Sequence, residues 1–138
     1  LTQALGLERC TLSNEAILVT IVSSLISGII GVAISTLYFY KLERHKLKLD
    51  LARRIMGNRY SISGDAFSCA MNEVIVVFAD SKVVLEKMER FYEALQAPGK
   101  PNAEATAVDF FKAISKASGL SQEQLNDTYL IKTFNARN

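Results

Sequence analysis

Residues 16–40 read AILVTIVSSLISGIIGVAISTLYFY, 25 positions without Asp, Glu, Lys, Arg or His. As a helix this run is about 37 Å long, against a bilayer hydrocarbon core of roughly 30 Å, so it spans a membrane with modest tilt. A helix apolar on every side cannot be the half-wetted helix of a small soluble domain. The rival reading is a secretory signal peptide, and Ala33-Ile34-Ser35 has the small-x-small look of a cleavage site. Apolar regions of signal peptides reach only about 15 residues, and a basic stop-transfer segment follows this run rather than preceding it.

The charges of the 138-residue chain are segregated around the run. Residues 1–15 carry Glu8, Arg9 and Glu15. Residues 41–60 carry Lys41, Arg44, Lys46, Lys48, Arg53, Arg54 and Arg59 against Glu43 and Asp50, a net +5. Residues 61–138 are net −2. Basic residues beside a span stay in the cytoplasm, so the expected orientation is N-terminus outside and C-terminal part cytoplasmic. Tyr38, Phe39 and Tyr40 close the span on the basic side, where aromatic rings favour the interface. Lys41, Arg44, Lys46, Lys48, Arg53 and Arg54 are expected to contact anionic lipid headgroups. An RNA-binding stripe is the sharper alternative, and no aromatic residue is interleaved between Lys41 and Arg59 to support it.

One face of the run differs from the rest. Thr20, Ser24, Ser27, Gly28, Gly31 and Ser35 fall within an arc of about 100° at 100° per residue, whereas Ile17, Leu18, Leu25, Ile29 and Val32 are expected elsewhere. Small residues at such spacings let helix backbones approach closely, and hydroxyls bond across helices. Self-association through this face is expected. The same pattern serves either a packed seam between helices or the wall of an opening, and the spacing does not choose between them. With no ionisable group in the run, a proton relay is unsupported.

Beyond Tyr40 the helical pattern continues, with Leu47, Leu51 and Ile55 four apart, until Gly57-Asn58 offers a stop. One helix is predicted from about Glu15 to Met56. A loop with a capping serine follows over Ser61–Asp65, then a helix with Phe67, Ala70, Met71, Val74, Ile75 and Phe78 on its buried side. Cys69 in that helix reads as a small buried hydrophobe. Asp80 or Ser81 caps the next helix, whose apolar side is Val84, Met88, Phe91, Tyr92 and Leu95. Pro98-Gly99-Lys100-Pro101-Asn102 breaks the chain, and Ala107, Phe110, Phe111, Ile114 and Ala117 mark a further helix closed by Gly119. Ser121–Gln124 fits a capping box for a short last helix, with Tyr129, Leu130, Ile131 and Phe134 as an apolar patch. The expected fold class is all-α: a segment 1–15, a transmembrane helix 16–40, a basic juxtamembrane helix 41–60 and a cytoplasmic helical domain 61–138.

No catalytic chemistry can be assembled from these residues. His45 is the single histidine, set among charges and read as solvated or lipid-facing. No metal-ligand spacing involves Cys10 and Cys69, which flank the run, and no glycine-rich phosphate loop occurs. No cofactor, metal or small-molecule substrate is expected, and no enzyme.

Met56-Gly57-Asn58-Arg59, Ala70-Met71-Asn72-Glu73-Val74, Val77-Phe78 and Val83-Val84 resemble the motifs of a bacterial family of uncharacterised single-pass proteins, with Met71 where that family has Leu. Over roughly residues 16–138 the layout also resembles the membrane accessory proteins of type VI-B CRISPR systems. That resemblance implies a divergent HEPN-like bundle, a ring of spans around a pore, and a role in antiphage defence beside an RNA-guided RNase or its RNA products. The expected partners are thus lipid, further copies of the chain, and that RNase or its RNA. HEPN ribonucleases carry Arg-(polar)-x-x-x-His, and here only Arg137-Asn138 matches its opening. The alternatives to a homo-oligomeric pore are a membrane-anchored interaction module and a HEPN-type RNase whose histidine lies beyond Asn138.

Overall fold

A computed structural model describes residues 2–120 and 126–132, with side-chain surroundings from Ser13 onward. The capping box at Ser121–Gln124, together with Phe134, Arg137 and Asn138, lies outside the described residues. Those described are all-helical: α1 (Thr2–Asn58), α2 (Asp65–Val77), α3 (Lys82–Gln96), α4 (Ala103–Ala117) and the short α5 (Asp127–Ile131). The helix α1 begins earlier than the sequence predicts. Ala4, Leu5, Leu7, Glu8 and Arg9 are strong helix formers and no proline interrupts them, so helix propagates upstream of the apolar run. Its end at Asn58 agrees with the Gly57-Asn58 stop.

The chain divides into two compact units, Leu1–Leu42 and Glu43–Asn138. In the first, every described side chain from Ser13 to Lys41 is exposed, and the helix there is long and apolar enough to cross a membrane. A signal sequence near an N-terminus has the same length and composition.

The second unit is an antiparallel bundle made of residues 43–58, α2, α3 and α4, with α5 across one end. Two ion pairs set the first register. Arg54 grips Glu73 with both guanidinium nitrogens, and Lys48 Nζ lies 2.7 Å from Asp80 Oδ2. The partners on α1 step back from Arg54 to Lys48 while those of the following segment step forward from Glu73 to Asp80, so the two helices run antiparallel. Leu51 and Ala52 between these pairs, and Ile55 just beyond, are wholly buried, so the core draws on the chain well before residue 61. The connections at 78–81 and 97–102 are short, which makes successive helices antiparallel neighbours. Phe91 on α3 stacks on Phe110 of α4 at 5.8 Å between centroids and touches Phe111 at 6.3 Å. Lys87–Asp109 ties α3 to α4, and Lys112–Asp127 ties α4 to α5. At one end of the bundle the Ser118 hydroxyl donates to the Lys48 carbonyl. At the other, the Arg59 guanidinium donates to the carbonyls of Met56 and Tyr129.

Phe67, Ala70, Val74, Phe78, Val84, Phe91, Ala107, Phe110, Phe111, Ile114 and Leu130 are buried as the periodicity predicts. Four expectations need correction. Cys69 is exposed, because it sits on α2 about 140° from Val74, which points into the core. Ile75 is exposed too: the run Val74–Phe78 is longer than the stripe a helix can bury, so Val74 and Phe78 are fully buried, Val77 packs partly against the core, and Ile75 and Val76 face out. Tyr92, Tyr129 and Ile131 stand at the rim with their rings or side chains toward solvent. Gly64, rather than a serine, occupies the cap position before α2, and no side chain bonds there. Ser81 does precede α3, likewise without a side-chain bond, while Asp80 is held by Lys48.

The Asp80 carboxyl is held below the usual carboxylate range, first by the hydrogen bond from Lys48 and further by the charges of Lys48 and Arg44, against partial burial. A depressed carboxylate stabilises the fold above its ordinary pKa of about 3.9 and loses that contribution as pH falls through its lower folded value. Because Asp80 is nearly half exposed, the pair contributes only about 0–1 kcal/mol. Asp80→Asn is therefore expected to lower the melting temperature slightly at neutral pH, by an amount that shrinks as pH falls and the Asp80 carboxyl takes up its proton. Thermal scans of the two chains across that range check this, and a gap that stayed constant would contradict it.

Candidate functional site

In the apolar segment, two of the four hydroxyls of the small-residue face are turned onto their own helix. Thr20 Oγ1 donates to the Ala16 carbonyl at 2.8 Å and Ser24 Oγ to the Ile21 carbonyl at 2.9 Å. Thr36 Oγ1, off the face, does the same to Val32 at 2.8 Å. A hydroxyl bonded this way keeps only its acceptor lone pairs for a neighbour. The face therefore presents small volume more than polarity. A Cβ added at Gly28 or Gly31 would meet nothing within 4 Å, so both glycines open onto free space. Ser27 and Ser35 are exposed beside them. Ile17, expected off this face, needs correction: at 100° per residue it falls within the same arc, as does Tyr38, and the two bracket the small residues at the ends.

The basic residues divide into two groups. Lys41, Arg44, Lys46 and Arg53 are exposed, the last 3.8 Å from Asp50. Lys48 and Arg54 are committed to the bundle. Lys48 Nζ sits 5.7 Å from the centre of the Phe78 ring while pairing with Asp80. The Arg54 pKa is raised by its hydrogen bond to Glu73, and Glu73 is correspondingly lowered. Arg59 belongs with these two, half-buried against backbone carbonyls. His45 is exposed and lies over Gly119, where a Cβ would come within 3.0 Å of its Cε1.

The bundle has two adjoining clefts that no sequence pattern marked. One, of about 110 Å³, lies among Arg59, Leu95, Ala107, Phe111 and Leu130. The other, of about 230 Å³, lies between α2 and α3 among Phe67, Met71, Asn72, Tyr92 and Leu95. Ile62, Phe91 and Leu95 border both. Arg59 Nε and Ser115 Oγ are buried with no hydrogen-bond partner among the described residues. Among the described residues, no group of three or more His, Cys, Asp or Glu could hold a metal ion.

No family description, no curated protein and no solved structure matches the chain.

Proposed function

We propose that this chain is a single-pass protein of the bacterial inner membrane, N-terminus outside and bundle in the cytoplasm, that assembles with its own copies and opens or perturbs the bilayer. Thr20, Ser24, Ser27, Gly28, Gly31 and Ser35 form the assembling or opening-lining face, and Lys41, Arg44, Lys46 and Arg53 meet the headgroups. The observation that carries the reading is the open face at Gly28 and Gly31, on a stretch of α1, residues 13–41, in which every side chain is exposed. In lipid, apolar surface alone gives helices little reason to associate, so close packing at small residues is the main attraction left. A role in antiphage defence rests on the resemblance of layout to the CRISPR accessory proteins.

A membrane-anchored interaction module is the second reading, and the two clefts of the bundle favour it. The two readings diverge when residues 16–40 are replaced by an unrelated span of alternating Leu and Ala. The pore predicts that the replaced chain no longer releases dye from liposomes and no longer forms rings in electron micrographs of detergent-purified protein. An anchor predicts that whatever the native chain does survives the exchange.

A further inference from the structure

Among the described residues four cations are partly buried: Lys48, Arg59, Lys87 and Lys112. Three of them sit against a carboxylate, Lys48 on Asp80, Lys87 on Asp109 and Lys112 on Asp127. Arg59 makes no ion pair among the described residues. Its guanidinium donates only to backbone carbonyls, Nη1 to Met56 at 2.6 Å and Nη2 to Tyr129 at 3.3 Å and Lys132 at 3.5 Å. Its Nε is buried with no partner. Carbonyl dipoles hold the guanidinium in place and leave its charge unneutralised. A charge withdrawn from water costs free energy until an opposite charge meets it. Arg59 also lines the 110 Å³ cleft, whose other walls are mostly apolar, Leu95, Ala107, Phe111 and Leu130 among them. One further charge borders this cleft, the exposed Glu104 in the first turn of α4.

We propose that the cleft binds a small apolar carboxylate, with its acid group on Arg59 and its body among Leu95, Ala107, Phe111 and Leu130. What Arg59 lacks is negative charge, and charge complementarity names the ligand's head. Of the five N–H groups of a guanidinium, at most three serve carbonyls here, so donors remain for an acid. Glu104 limits the head to a single charge, because a phosphate monoester carrying close to two negative charges meets it as a repelling neighbour. The apolar walls decide against a bare inorganic anion, which gains nothing from them. Size limits the body. A dry cavity of about 150 Å³ lined by Leu, Ile and Phe accepts benzene. The 110 Å³ here, with the 230 Å³ cleft adjoining across Ile62, Phe91 and Leu95, takes one ring or a short acyl chain. The site lies wholly within the bundle and does not depend on self-association of the spans, so either idea can fail without the other.

The test titrates the full chain in lipid nanodiscs with 4-phenylbutyrate and with octanoate, read by saturation-transfer NMR against empty nanodiscs. Saturable binding of an acid is expected, about tenfold weaker for 4-phenylbutan-1-ol, which keeps the ring and drops the charge. The tighter of the two acids distinguishes an aryl acid from an acyl chain as the source of the ligand. Arg59→Gln is expected to weaken binding about tenfold. Because Arg59 also holds α5, a second variant leaves it in place: Ala103→Phe narrows the cleft from its rim, and is expected to abolish binding while the bundle melts as before. No saturable binding of either acid overturns the proposal. An alcohol bound as tightly as the acid overturns it too, since the cleft is then a plain apolar hollow. Acid binding that survives both Arg59→Gln and Ala103→Phe places the acid elsewhere and also overturns it.

Discussion

Changing Gly28 and Gly31 together to leucine is expected to break the oligomer and abolish liposome leakage while leaving the helix and the bundle intact. The asymmetry follows from where the glycines sit. Neither position has a neighbour within 4 Å for an added Cβ to meet, so leucine costs the single chain nothing sterically. Leucine is also the better helix former, by about 0.8 kcal/mol per position. Between two copies the balance reverses, because each leucine pushes the helix axes apart and forfeits the close contact that small residues permit. A loss of about 1.4 kcal/mol lowers an association constant tenfold, and the two substitutions lie on one face where their effects compound. Subunit counting in lipid nanodiscs and dye release from liposomes read the two consequences. A double variant that assembled and leaked like the native chain would rule out the face as the seat of assembly.

The largest effect on the bundle is expected from Phe91→Ala. Phe91 is 1% exposed, stacks on Phe110, packs at a tilt against Phe111, and borders both clefts. Removing its ring loses the transfer energy of the buried surface and joins two hollows that the ring separates, so the neighbours cannot close over the gap. Such substitutions cost about 3–5 kcal/mol, a large part of the roughly 5–15 kcal/mol that holds a domain of this size. The bundle's melting temperature, followed by circular dichroism in detergent, should fall by roughly 15–30 °C. Tyr92→Ala, one residue along and 62% exposed, should move it by no more than about 0.5 kcal/mol in equivalent stability. Equal shifts for the two variants would mean that the α3 stripe is misassigned.

Much of this architecture can be read along the chain because the helices bury narrow stripes with regular period. Phe67, Ala70, Val74 and Phe110, Phe111, Ile114 repeat at three and four, and the Pro98–Asn102 break and Gly119 stop the helices where the structure ends them. The physical reasons differ: α3 ends at Ala97, held extended by the following Pro98, whereas α4 ends at the left-handed backbone of Gly119. Periodicity misleads where apolar residues run on without a gap. Ile75 and Val76 look like core beside Val74 and are outside, because whether a helix is covered on a second side depends on a surface that no local pattern encodes. The basic stretch shows the same limit. Composition alone cannot separate Lys48 and Arg54, which reach carboxylates 32 and 19 positions away, from Lys41 and Lys46, which stay exposed. The clefts were invisible for that reason too, since their walls come from α2, α3, α4 and α5 together.

The burial of Leu51, Ala52 and Ile55 under helices that follow them carries a cost during synthesis. These residues leave the ribosome first, and the helices that cover them are complete only about sixty residues later. At roughly 5–20 residues per second, that leaves the apolar stripe bare for about 3–12 s after it emerges. Throughout that interval the nascent chain offers chaperones and insertion machinery a sticky helix directly behind its hydrophobic run. Only the arrival of α4, with Ser118 reaching the Lys48 carbonyl 70 positions back, brings the cover to completion.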